Sequence, residues 1–157
     1  MMINYLLLNK MKTIIPLIGF ILMGITLEVF WTSILNHLKE RKKNKVKLIG
    51  VTYLWMFPIY AIVPIFYLLT LNLPPHISIF IRGLIYFCLF YILEFTSGWI
   101  IKKSVGESPW DYSNKKIKLF GKEFKSNFKG LICLQYAPIW YIYGILGELY
   151  YLFLINI

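Results

Sequence analysis

The chain has 157 residues, 59% of them hydrophobic and 18% aromatic, and a formal net charge of +10. Soluble proteins average about 45–50% apolar residues, and a domain this small has too little interior to hide a larger share, which argues against a water-soluble globule and for lipid as the solvent. Of the 17 Lys and Arg, six lie in residues 39–47 and eight in 102–129; basic residues fastened between apolar runs, with no folded basic face, argue against nucleic acid as a partner.

In chain order, a short mixed segment ends in Lys10 and Lys12, and an apolar run follows over residues 14–35. That run exceeds the 7–15 residues of a signal-peptide core, and no small-x-small cleavage site follows it. It matches a spanning helix, which needs about 20 residues. After the basic loop 39–47, a second apolar run covers 48–71, with kinks predicted at Pro58 and Pro64. The turn Asn72-Leu73-Pro74-Pro75-His76 is short, so the third run, 77–101, is predicted antiparallel to the second.

The connector 102–129 is polar and basic and holds Ser108-Pro109-Trp110-Asp111-Tyr112-Ser113. Phe120, Phe124 and Phe128 recur every fourth residue among lysines, which predicts an amphipathic stripe lying on the inner leaflet. A second arrangement folds this loop back as a cover over polar groups in the inner half of the spans. The fourth run is 130–157, with a bend predicted at Pro138. Cys88 and Cys133 fall in apolar runs with no metal-ligand spacing and read as small buried hydrophobes. The expected fold is therefore an all-α membrane protein with four transmembrane helices, one integral membrane domain over residues 1–157.

Four crossings place 39–47 and 102–129 on one side and both termini on the other. Fourteen Lys and Arg then stand against Lys10 and Lys12, and the positive-inside rule puts the basic loops in the cytoplasm and both termini outside a plasma membrane.

Glu28, Arg82, Glu94 and Glu148 are the Asp, Glu, Lys or Arg residues within the predicted spans. Each costs at least ~2.5 kcal/mol at the bilayer centre, so each requires a partner or a role. At 1.5 Å of rise per residue, Glu28 and Glu94 fall about 5 and 7 Å to the cytoplasmic side of their midpoints. Arg82 and Glu148 fall about 10 and 7 Å to the outer side. Two levels follow: an outer ion pair Arg82–Glu148 that fixes register, and an inner pair of carboxylates. Like charges at one level repel, so one acid is held neutral or a cation sits between them. Each glutamate has a glycine four residues away on its own face, Gly24, Gly98 and Gly144, which marks those faces as meeting protein rather than lipid. Trp31, Phe90, Tyr91, Tyr141 and Tyr151 share these stripes. His37 and His76 read as interfacial rather than as ligands.

Several blocks point the same way. They are Gly24-Ile25-Thr26-Leu27-Glu28, Leu54-Trp55-Met56-Phe57-Pro58-Ile59-Tyr60, Leu93-Glu94 through Gly98, Trp110-Asp111-Tyr112-Ser113, and Ala137-Pro138-Ile139-Trp140 with Gly144 and Glu148. On these blocks the chain resembles the putative ABC-transporter type IV family, also called CmpB-like, to which animal transmembrane protein 229 looks related. Ala61 stands where the resemblance leads one to expect glycine, and Lys118-Leu119-Phe120-Gly121 lacks the asparagine usual before the loop glycine. The resemblance implies a transport role. The chain has no Gly-x-x-x-x-Gly-Lys-Ser/Thr loop, so it is not the ATP-hydrolysing subunit.

The expected function is a small permease-like transport component with a polar site between helices, at Glu28, Glu94, Asp111, Trp110 and Tyr112. Non-catalytic action is favoured. Two alternatives stand beside it: a membrane-embedded enzyme acting on a lipid or isoprenoid through an acidic site, and a non-catalytic scaffold. No cofactor is expected, with a divalent cation belonging to the acidic-site alternative. The expected partners are the lipid bilayer and other membrane subunits or further copies of the chain.

Overall fold

In lipid no water is at hand for backbone N–H and C=O groups, so long apolar runs satisfy them internally as helices. The computed structural model describes residues 2–39, 48–74, 76–119 and 122–157. Their helices are α1 (Met2–Lys39), α2 (Met56–Leu71), α3 (Ile79–Val105) and α4 (Ala137–Ile155). Between α3 and α4 lie two antiparallel hairpins, β1 (Lys116–Leu119) with β2 (Lys122–Lys125) and β3 (Asn127–Phe128) with β4 (Ile132–Cys133). Three helical stretches are long and apolar enough to cross a membrane: Lys12–Leu38, Ile79–Val105 and Leu134–Ile155. The protein is thus an all-helical membrane protein carrying a small β-rich connector.

Four features differ from the sequence reading. First, the second apolar run is helical only over the 16 residues of Met56–Leu71, fewer than the roughly 20 that span alone, and residues 48–55 form no helix. Second, the phenylalanine stripe does not form a helix on the leaflet: Phe124 and Phe128 belong to β2 and β3, and Ile117 pairs with Phe124 in the hairpin register. Phe120 and most of the first basic loop, 40–47, lie outside the described residues. Third, Pro58 and Pro138 sit in the first turns of α2 and α4, where the N–H they lack would have no helical partner, so neither position calls for a kink. Pro64 is interior to α2, and Pro16 is interior to α1. Fourth, Cys88 is exposed, off the buried stripe of α3, whereas Cys133 is buried.

The chain divides into two compact units, Met1–Ile65 with Tyr151–Ile157, and Phe66–Tyr150. In the first unit, residues 48–55 run along α1 and find there the bonds a helix would have supplied. Val51 N–H donates to Thr32 Oγ1 at 2.8 Å, and Asn36 Nδ2 donates to Ile49 O at 3.1 Å. Gly50 permits the approach, because a Cβ there would collide with Val29 O of α1. Tyr53 O and Leu54 O then accept from Met56 and Phe57 N–H and start α2.

In the second unit, Ser78 caps α3 through Ile81 N–H, and Gly106, at φ 92°, ends it by donating to Lys102 O at 3.0 Å. The buried stripe of α3 is Gly83, Tyr86, Phe90, Tyr91, Glu94, Gly98 and Ile101, spaced by three and four residues as one helix face requires. Against it lie α4 and the connector. A Cβ at Gly144 would meet Tyr86, and one at Gly147 would meet the Tyr67 hydroxyl, so small residues set the close approach. Phe90 stacks on Trp140 with centroids 5.5 Å apart and meets Tyr143 edge-on at 5.5 Å.

Candidate functional site

Glu94 occupies the middle of that buried stripe and is 8% exposed. Its Oε1 accepts from the Tyr112 hydroxyl at 2.9 Å. The Trp140 side chain reaches the same carboxyl, yet neither Trp140 Nε1 nor Glu94 Oε2 has a hydrogen-bond partner. Buried polar atoms are nearly always paired, and here the indole N–H and the second carboxyl oxygen are each other's nearest candidates, in a contact too loose for full hydrogen-bond geometry. One turn further along α3, Gly98 lets the Trp110 ring lie against the helix, with the position of a Cβ only 3.0 Å from Trp110 Cζ2. Trp110 Nε1 donates to Leu131 O at 2.8 Å.

The connector holds Tyr112 through its backbone. Tyr112 N–H donates to Gly130 O at 2.8 Å, and its ring meets that of Tyr136 at 5.5 Å. Asn127 ties the turn together: its Nδ2 donates to Ser113 O and Lys115 O, and its Oδ1 accepts from Gly130 N–H. Gly130 has φ 73°, and a Cβ there would strike the Ser113 hydroxyl and Asp111 Oδ1. Lys129, at φ 52°, is the one non-glycine residue with positive φ among those described, a conformation that costs roughly 1–2 kcal/mol. Tyr91 adds a bond from α3, its hydroxyl donating to Cys133 O at 2.9 Å. Burial pushes the Tyr112 phenol far above its ordinary value and Glu94 adds to the effect, so the hydroxyl remains a donor at any physiological pH.

Asp111 is exposed and makes its side-chain bonds within the connector. Its Oδ1 accepts from Ser113 N–H at 2.8 Å and from the Ser113 hydroxyl at 2.6 Å. Those bonds hold its carboxyl below the usual range, and Lys102 contributes in the same direction.

Glu28 belongs to the first unit. Its Oε2 accepts from Thr52 Oγ1 at 2.7 Å and from the Tyr60 hydroxyl at 3.2 Å. Gly24 makes room for the Tyr60 ring one turn before the carboxylate. Trp31, expected on the same inward stripe, is exposed.

Arg82 and Glu148 meet in the second unit. Arg82 Nη2 lies 2.7 Å from Glu148 Oε1, and Nε lies 3.0 Å from both carboxylate oxygens. Arg82 Nη1 donates to Ile77 O at 2.6 Å, Tyr86 OH donates to Glu148 Oε2 at 2.7 Å, and Thr70 Oγ1 lies 2.6 Å from the Tyr86 hydroxyl. Both carboxylate oxygens are engaged, as a buried pair requires if it is not to cost more than it returns.

The structure thus brings Glu94, Tyr112 and Trp110 together, joins Arg82 to Glu148, and gives Glu28 and Asp111 partners of their own. Sequence reasoning had Tyr60 and Trp140 within the blocks of the resemblance but gave them no role at a site, and it missed Thr52, Tyr86 and the Asn127–Gly130 turn. The signal available was a hydroxyl or indole on the same stripe as each carboxylate, such as Tyr86 in α3, but its partner across the fold has no sequence spacing to announce it. Among the described residues no group of three or more His, Cys, Asp and Glu is arranged to hold a metal ion.

The family model described as putative ABC-transporter type IV matches residues 15–156. No solved structure matches the chain. The chain belongs to the putative ABC-transporter type IV family.

Proposed function

We propose that this member of the family is a small transport component that carries a proton on Glu94. The observation that supports this is the Glu94 carboxyl itself: buried on a helix long enough to cross a membrane, bonded to the Tyr112 hydroxyl through Oε1 and faced by the Trp140 indole. Ionisable groups inside membrane helices are expensive and mark ion or proton pathways. Arg82 and Glu148 have the opposite character, a closed network that fixes α3 against α4.

The acidic-site enzyme draws less support. It needs several carboxylates converging on one place, and Glu28 is bonded to Thr52 and Tyr60 while Asp111 is an exposed connector residue bonded to Ser113. In the topology we propose, 48–71 makes a fourth crossing of the plasma membrane, 39–47 and 102–129 are cytoplasmic, and both termini are outside. The transport reading also leaves room for partner subunits or further copies of the chain.

Proteoliposomes holding a pH-sensitive dye, given an inside-negative potassium-diffusion potential, test the proposal. Wild-type vesicles are expected to acidify faster than empty ones, and the Glu94→Gln variant to fall back to the empty-vesicle rate. Equal rates in wild type and Glu94→Gln would overturn the role assigned to Glu94.

A further inference from the structure

Where α3 ends, the connector leaves a cleft of about 330 Å³ whose lining includes Lys102, Glu107, Ser108, Trp110, Asp111 and Lys129. That volume is at the small end of ligand pockets, about 300–1,000 Å³. Its place in the fold is that of a lipid headgroup. The last turn of α3 carries Lys102 and Lys103, and Lys103 Nζ stands 5.2 Å from the centroid of the exposed Trp99 ring. Tryptophan beside lysine at the end of an apolar helix marks the membrane–water boundary.

The chemistry of the lining is two-signed. Lys102 and Lys129 supply two cations, and Glu107 and Asp111 supply two anions. Both bonds accepted by Asp111 use Oδ1, so neither engages Oδ2. Lys129 has a backbone conformation that lysine rarely adopts, φ 52°, strain of a kind that collects at ligand sites, and its Nζ stands 5.7 Å from the centroid of the Phe128 ring. A purely anionic ligand would use the lysines and be repelled by the carboxylates. A purely cationic ligand would meet the reverse.

We propose that this cleft binds a phosphoethanolamine group, the headgroup of a zwitterionic phospholipid. The phosphate lies between Lys102 and Lys129, and the primary ammonium faces Glu107 and Asp111. A trimethylated ammonium offers no N–H to the carboxylates, so phosphocholine loses the donor half of the recognition. The inference is independent of any proton carried by Glu94.

Native mass spectrometry of the full chain released from nanodiscs tests it. The nanodiscs contain equal parts phosphatidylethanolamine, phosphatidylcholine and phosphatidylglycerol. Retention of phosphatidylethanolamine over each of the others by roughly tenfold, equivalent to about 1.4 kcal/mol, is expected. The Lys102→Gln/Lys129→Gln variant should lose that preference, and Lys103→Gln, whose lysine stands over Trp99 outside the cleft, should keep it. The comparison among lipids on the wild type does not depend on any variant folding. Equal retention of phosphatidylglycerol would show that only the anion is recognised and overturn the proposal. Soluble phosphoethanolamine that binds in phosphatidylcholine nanodiscs and resists displacement by phosphatidylethanolamine would overturn the lipid as its source.

Discussion

The Tyr112 hydroxyl is the one hydrogen-bond donor that reaches Glu94 with full geometry, so the carboxyl's surroundings depend on it. Tyr112→Phe would leave a buried acceptor unpaired, at a cost of about 1–3 kcal/mol. Thermal unfolding in detergent should show that loss, and adding Glu94→Gln should lower stability by much less than the two single effects together, since contacting residues are not additive. Additive losses would mean the two side chains do not act as a pair. The phenol also makes a pH signature. Its folded value lies above the unfolded one, about 10, because burial and Glu94 disfavour the charged form. Its contribution is therefore complete below about pH 10 and drains as pH rises past that value, and Tyr112→Phe should make the alkaline fall in stability shallower. Glu94 and Gly98 were legible in the sequence because a carboxylate and a glycine four apart share a helix face. Tyr112 was legible as part of a recurrent block, but its bond to Glu94 was not, because 18 residues of helix end and connector separate them and no periodicity crosses that gap.

Helices α3 and α4 are joined by the closed network of Arg82, Glu148, Tyr86 and Thr70. Removing one charge from such a pair costs far more than removing both. Arg82→Met would strand Glu148, which is 4% exposed, and should destabilise by about 3–5 kcal/mol. The Arg82→Met/Glu148→Leu double variant should recover most of that loss, read as the melting temperature in one detergent. A double variant as unstable as Arg82→Met would mean that shape, not charge pairing, holds the helices. At this scale the long helices were visible in the sequence because each is a long apolar run. The connector was misread for a physical reason. Phenylalanines at a spacing of four fit a helix stripe, while Lys116-Ile117-Lys118-Leu119 alternates with a period of two and Gly121 stands at a turn position. The alternation was the stronger signal, because β1 and β2 pair as antiparallel strands.

Whether the second apolar run crosses the membrane decides the arrangement of the whole molecule. Its helix of 16 residues rises about 24 Å, some 6 Å short of a hydrocarbon core of about 30 Å. Extended chain advances about 3.3 Å per residue, so two residues of the 48–55 segment supply the difference. Open backbone is tolerated at membrane depth only where protein shelters it, and Thr32, Asn36 and the gap at Gly50 shelter this segment along α1. Charge points the same way. With four crossings, the six basic residues of 39–47 and the eight of 102–129 share one side. With three, they fall on opposite sides and the positive-inside rule is broken by one loop or the other. Reporter fusions distinguish the two cases. Alkaline phosphatase fused after Asn72 and after Ile157 should be active in both fusions, because both points lie outside in the four-crossing arrangement, and a green fluorescent reporter at Ile157 should be dark. Fusion within 102–129 should give the reverse. Activity of alkaline phosphatase within 102–129, with silence after Asn72, would mean that 48–71 does not cross, and the Tyr112–Glu94 arrangement would then open to the outer face.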